Sequence, residues 1–143
     1  MYKHTQIGYV IIVFFAVAAA VMIPVLTTSG RVIMVIPVVA AVAVLLALFS
    51  TLTVEVTDKQ LRFKFGIGLF RKSVPLNEIV SWTETRNSWL YGWGLRVTFR
   101  GWLYNVSGVH AVEITLRTGK KFRLGTDEPE ELSRALASAT GRQ

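Results

Sequence analysis

Two long apolar runs dominate the first third of the chain. Ile7 to Leu26 contains no charge, and Val32 to Leu52 contains none either. Only Thr27-Thr28-Ser29-Gly30-Arg31 separates them, and Arg31 is the sole charged residue between Ile7 and Leu52. A bilayer core of about 30 Å is crossed by roughly 20 helical residues rising 1.5 Å each. Both runs have that length, and so short a connection makes them an antiparallel hairpin. The pattern therefore predicts transmembrane helices at about 7–26 and 32–52. A secretory leader does not fit, because its apolar core is roughly 7–15 residues and a second long apolar run follows directly. Two helices apolar on every side are too much for a small soluble domain to cover. Strands of about 20 residues lie far outside the usual range. Pro24 and Pro37 both fall near the turn, and alanines cluster at 16–20 and 40–47, where small residues let two helices approach closely.

From Leu52 onward the period changes to two. Leu52, Val54 and Val56 alternate with Thr53, Glu55 and Thr57; Leu61, Phe63 and Phe65 alternate with Arg62 and Lys64. Strict alternation marks half-buried strands. A two-residue turn at Asp58-Lys59 sets Val56 against Leu61, Val54 against Phe63 and Glu55 against Arg62, so apolar faces agree and the charges oppose. Further strands are predicted at Ile79–Thr85, around Leu95–Phe99 and at Val112–Leu116. A loop at Thr118-Gly119-Lys120 sets Leu116 against Phe122 and Ile114 against Leu124. The chain closes on a helix. Thr126 or Asp127 caps it, Pro129 and the acids Glu128, Glu130 and Glu131 suit its first turn, and Leu132, Ala135, Leu136 and Ala139 form one apolar stripe.

The expected organisation is a membrane hairpin over residues 1–52 and an α+β domain over 53–143. The latter is an antiparallel barrel or sandwich of six or seven strands capped by a C-terminal helix. The 143 residues leave room for little else.

Charge refines the placement. The formal net charge is +7, which suits anionic lipid, an acidic partner or nucleic acid. Lys3, Lys59, Arg62, Lys64, Arg71 and Lys72 flank the helices on one side, against Arg31 alone at the turn. The rule that basic residues stay inside puts both termini in the cytoplasm. The absence of cysteine excludes disulfides and thiol chemistry. His4 and His110 are far apart and carry no nucleophile or paired carboxylate. No cluster has metal-ligand spacing, and Gly66-x-Gly68 lacks the lysine and helix of a phosphate loop. The expectation is a protein with no enzymatic site, cofactor or metal.

The order of motifs then carries a resemblance. Gly94-Leu-Arg-Val-Thr-Phe-Arg-Gly-Trp-Leu-Tyr-Asn-Val-Ser-Gly108 is followed by Ala111-Val112-Glu113-Ile114 and by Gly119-Lys-Lys-Phe-Arg-Leu-Gly-Thr-Asp-Glu-Pro-Glu130. Together with the hairpin, this resembles the small bacterial membrane proteins that carry a pleckstrin-homology-like (PH-like) domain. The resemblance implies a PH-like fold in the bacterial cytoplasmic membrane and implies no catalytic residues.

Two surfaces are candidates for function. One is basic: Arg62, Lys64, Arg71 and Lys72 on the first strands and their loop, with Lys120, Lys121 and Arg123 on the last hairpin. Such residues bind an anionic headgroup or a partner, or simply solvate the domain. The Asp58-Lys59 turn is shorter than the headgroup-binding loop of eukaryotic PH domains. The other is aromatic: Trp89, Tyr91 and Trp93 suit a membrane interface, and Trp102 and Tyr104 suit the core. Nucleic acid is not expected, because the domain is tethered to a membrane. The expected function is a membrane-anchored interaction module that binds the lipid surface, a protein partner or a second copy. The alternative is an accessory subunit of a membrane complex, docked through its hairpin.

Overall fold

The computed structural model describes residues 1–91, 94–99 and 101–142. The chain begins with a strand, β1 (Tyr2–Ile7), then forms α1 (Tyr9–Thr28), a 3-10 turn (Val32–Met34) and α2 (Val35–Phe49). Helix α1, and α2 taken together with the 3-10 turn (Val32–Phe49), are long and apolar enough to cross a membrane, and no residue of either helix is buried. Pro24 sits inside α1, where the hydroxyls of Thr27 and Thr28 donate to its carbonyl at 2.9 and 2.8 Å.

The rest of the chain forms β2 (Thr51–Val56), β3 (Gln60–Phe65), β4 (Arg71–Pro75), β5 (Ile79–Arg86), β6 (Gly94–Thr98), β7 (Gly101–Asn105), β8 (His110–Leu116), β9 (Lys121–Gly125) and α3 (Pro129–Thr140). One sheet runs β1-β2-β3-β4, the other β5-β8-β9-β7-β6. Their inner faces supply Val54, Val56, Leu61, Phe63 and Phe65 from the first sheet and Tyr104, Val112, Ile114, Phe122 and Leu124 from the second. Leu132 and Leu136 of α3 close the core, so the expected stripe on that helix does face it.

The β2–β3 hairpin has the expected register, with Val54 opposite Phe63, Glu55 opposite Arg62 and Val56 opposite Leu61. Other expectations need correction. The sheets are open, not a closed barrel, because among the described residues no ladder joins the edges β1 and β4 to the edges β5 and β6. Nine strands are described in place of six or seven. Residues 2–7 and 71–75 each form one, and the stretch 94–105 makes two that turn back at Thr98–Gly101. The sheets are not wholly antiparallel either: β7 runs parallel to β9, with Trp102 opposite Phe122. On the β8–β9 hairpin, Phe122 faces Ile114 and Leu124 faces Val112. The Leu116 amide bonds the Lys120 carbonyl at 2.9 Å, so the loop is Arg117-Thr118-Gly119. Gly119 closes that loop at φ +82°, a conformation open to glycine. The helix N-cap is Glu128, and the Thr126 hydroxyl accepts from its backbone N–H at 3.0 Å.

The strand ahead of the hairpin has the largest consequence. β1 pairs antiparallel with β2 along its full length, from Tyr2 opposite Val56 to Ile7 opposite Thr51. Ile7 and Leu52, placed inside membrane helices by their apolarity, are therefore sheet residues. The helical hairpin is an excursion between two neighbouring strands. The Gly8 amide donates to the Ser50 carbonyl at 2.6 Å and closes its base. A Cβ on Gly8 would lie 3.0 Å from both Ser50 O and Val106 O, so that base is packed against the β7–β8 loop.

Candidate functional site

The outer face of the first sheet carries two polar rows, set by the pairing of four strands. One row is Lys3, Glu55, Arg62 and Ser73; the other is Thr5, Thr53, Lys64 and Arg71. Side chains alternate across the pleat, so the same registers that bury Val54 and Phe63 push these residues outward. All of these but Thr5, together with Phe63 and Lys72, line a shallow groove of about 630 Å³. Four outward cations, Lys3, Arg62, Lys64 and Arg71, meet one carboxylate there, and Lys72 joins the rim as a fifth from the inner side. Among the described residues, none of the five lies within 4.0 Å of an acid. Thr5 and Thr53 hydroxyls bond each other at 2.9 Å across the β1–β2 ladder.

Lys72 departs from its neighbours. It pairs with Phe63, so its stem follows the inner face, and its ammonium sits 5.3 Å from the Phe122 ring centroid and 5.9 Å from that of Tyr104. An aromatic face attracts a cation at that range. The Tyr104 phenol beneath it has its pKa raised by burial.

The remaining basic candidates lie elsewhere. Lys120 and Lys121 stand at the β8–β9 loop, where Lys121 is 3.7 Å from Glu113. Trp102 pairs with Phe122, which puts Lys121 level with Gly101 at the start of β7, whereas the hairpin base packs on Val106 beyond the end of β7. The pair thus lies most of a strand length from the hairpin base. Arg123 is 4% exposed. Its Nε donates to Glu113 at 2.9 Å and its Nη1 to the Asn87 side-chain oxygen at 3.0 Å. It is a brace between β8, β9 and the residue after β5, with no face left for a headgroup.

Of the aromatic candidates, Trp89 is 72% exposed in a short 3-10 turn that ends at Tyr91. The turn follows Asn87, whose amide donates to Val109 at 2.6 Å. Trp93 lies outside the described residues. Tyr104 is a core residue, 4.7 Å from Phe63 between ring centroids, while Trp102 stacks on it and stays half exposed.

A second polar group ties the first strand down. His4 Nε2 lies 2.6 Å from Asp127 Oδ1, and its Nδ1 lies 3.3 Å from Glu128 Oε2. The Tyr2 hydroxyl donates to the same Glu128 oxygen at 3.4 Å. Burial, and then the Glu128 charge, raise the Tyr2 phenol well above its ordinary pKa. Asp127 and Glu128 lie at the start of α3, where negative charge is favoured by the helix dipole. Gln6 donates to the Ser107 carbonyl at 3.0 Å. The inner face of β1 is therefore polar: Tyr2 and His4 are met at the start of α3, and the Gln6 side-chain nitrogen by the β7–β8 loop.

No group of three metal-ligating side chains occurs among the described residues. Comparison with protein-family models, curated proteins and solved structures finds no match to the chain.

Proposed function

We propose that the protein is a membrane-anchored interaction module without enzymatic activity, whose basic outer sheet face binds an anionic lipid surface. The observation that carries this is a cationic groove, free of ion pairs among the described residues, beside the base of an apolar hairpin that has no buried residue. Exposed apolar surface of that extent suits an apolar solvent. Lys64 and Arg71 lie in the row two residues beyond the Ile7–Thr51 pair, about 7 Å at 3.3–3.4 Å per residue. That is within a Debye length of about 8 Å at physiological salt, where a basic residue gains roughly 1 kcal/mol from an anionic leaflet. On this proposal both helices span the bacterial cytoplasmic membrane and both termini are cytoplasmic. The two sheets and the C-terminal helix keep a PH-like assignment as part of the same proposal.

Two measurements on the full chain test it. Mass spectrometry of the protein released from mild detergent reads which lipids and proteins it retains. Preferential retention of anionic lipid, lost in a Lys64→Glu/Arg71→Glu variant, is the expected result. Retention of zwitterionic and anionic lipids alike refutes lipid recognition, and loss of a co-purifying protein in that variant assigns the face to a protein partner. Because the chain has no cysteine, Ser29→Cys and Thr118→Cys give clean topology probes. An impermeant maleimide is expected to label only the first from outside the cell.

A second function rests on the hairpin. Since no residue of α1 or α2 is buried, their alanine-rich faces are open to other membrane spans. A role as an accessory subunit of a membrane complex follows if proteins, and not lipids, co-purify and persist in the charge-reversed variant.

A further inference from the structure

The β3–β4 connection, Gly66-Ile67-Gly68-Leu69-Phe70, presents apolar side chains outward although it is a loop. Ile67 is 74% exposed, Leu69 67% and Phe70 40%. Three bonds fix its place. The Gly66 amide donates to the Thr51 carbonyl at 2.9 Å, the Ile67 amide to the Ala47 carbonyl at 3.1 Å, and the Phe70 carbonyl accepts from Phe65 at 2.8 Å. Phe70 stacks on Phe49 with ring centroids 5.4 Å apart. Gly66 makes this contact possible, because its φ is +46° and a Cβ there would run into the Ala47 carbonyl oxygen.

Ala47 is not at the end of α2 but two residues inside it, about 3 Å along the axis. A loop hydrogen-bonded at that level lies alongside the helix where it enters the bilayer. Its amide also satisfies one of the last four helix carbonyls, which would otherwise face headgroups unpaired. Lys64 and Arg71 flank the loop on either side. Apolar tips between basic shoulders are the arrangement expected of a segment seated at the boundary of headgroups and acyl chains.

We infer that this loop is a third membrane-seated element, with Ile67 and Leu69 in the bilayer interface; the inference rests on the membrane-spanning hairpin proposed above. The occupant is the lipid itself. The surface is continuous with the base of α2, and the exposed side chains carry no charge.

Single-cysteine variants Ile67→Cys and Leu69→Cys, labelled with an environment-sensitive nitrobenzoxadiazole dye, test this in the full chain reconstituted in phosphatidylcholine/phosphatidylglycerol vesicles. Val39→Cys in mid-α2 and Thr118→Cys on the β8–β9 loop are the references. The expected result is blue-shifted emission at 67 and 69, quenching by lipids labelled near the headgroup, and loss of most of the iodide quenching seen at Thr118→Cys. Iodide quenching equal to that at Thr118→Cys overturns the inference. So does shielding from both iodide and lipid quenchers, which assigns the loop to a protein contact. Iodide access at Val39→Cys overturns the spanning hairpin instead, so the two failures are distinct.

Discussion

Neutralising Lys64 and Arg71 together, with glutamine at both positions, should weaken the preference of the protein for anionic lipid far more than neutralising Lys120 and Lys121. The difference follows from distance. Lys64 and Arg71 lie about 7 Å beyond the strand pair at the hairpin base, counting two residues of strand rise. Lys121 is level with Gly101, five residues short of Val106, hence about 17 Å away. A surface potential worth roughly 1 kcal/mol per charge, decaying over about 8 Å, leaves about 0.4 kcal/mol for each near charge and about 0.1 for each far one. Two near charges then supply about 0.8 kcal/mol, or about fourfold in relative affinity; two far ones supply about 1.5-fold. The assay is the relative association of spin-labelled phosphatidylglycerol and phosphatidylcholine with the reconstituted full chain. In about 1 M salt the Debye length is near 3 Å, and the near pair should fall to below about 1.5-fold. Equal losses from both double variants, or a near-pair effect that survives high salt, would refute the distance reasoning.

Three other outcomes follow from the same geometry. Replacing residues 9–49 by a short Asn-Gly turn should yield a soluble folded domain, because Ile7 and Thr51 are already paired neighbours; a truncation lacking residues 1–50 should lose the edge strand and a large part of its stability, read by thermal unfolding of both. Arg123→Ala should destabilise the fold by about 2 kcal/mol, since it leaves the Asn87 side-chain oxygen without its partner and Glu113 with Lys121 alone, while leaving lipid selectivity unchanged in the spin-label assay. Tyr2 has a folded pKa raised by burial and by Glu128, so its contribution to stability is complete below the ordinary phenol value of about 10 and is lost as pH rises through the higher folded value. Denaturant titrations across the alkaline range should show that loss in the native protein, and Tyr2→Phe should reduce the slope; an unchanged slope would exclude Tyr2 as its source.

The β2–β3 hairpin was legible because everything that sets it is local: strict alternation of apolar and polar residues and a two-residue turn; Glu55 and Arg62 stand opposite as expected but form no ion pair. β1 was not. Its partner lies beyond the whole hairpin, and its inner face is Tyr2, His4 and Gln6, which no hydrophobic pattern marks as inward. They face inward because Asp127, Glu128 and Ser107, all more than 100 residues away, supply their partners. Arg123 misled for a related reason. It occupies a polar position of an alternating strand, and its burial depends on Asn87 and Glu113, which only the sheet order brings to it. Lys72 read as a surface cation, yet its place opposite Phe63 turns it towards the Tyr104 and Phe122 rings. The segment at 66–70 showed only glycine punctuation, although Gly66 is needed for the approach to Ala47 and the intervening Ile67 and Leu69 are the exposed feature. The basic groove was half visible. Arg62, Lys64 and Arg71 were seen, while Lys3 joins them only through the pairing of β1.

The pairing of β1 with β2 also decides how freely the domain can move relative to its helices. A domain on one flexible tether swivels and offers every face to the membrane in turn. Here α1 and α2 leave from neighbouring strands, so two covalent connections lie about 5 Å apart. Gly8 and Ser50 are hydrogen-bonded across that gap, and Ile67 adds a bond to the side of α2. Two adjacent attachments alone allow rocking about the line between them; the third lies off that line and resists it. With rotation and rocking both restrained, the groove of Lys3, Arg62, Lys64 and Arg71 keeps a fixed standing relative to the hairpin, and the β8–β9 loop with Lys120 and Lys121 is held away from it. On the proposed lipid-binding role, a difference between the Lys64–Arg71 pair and the Lys120–Lys121 pair, which are equal in formal charge, follows from the way the sheet is threaded.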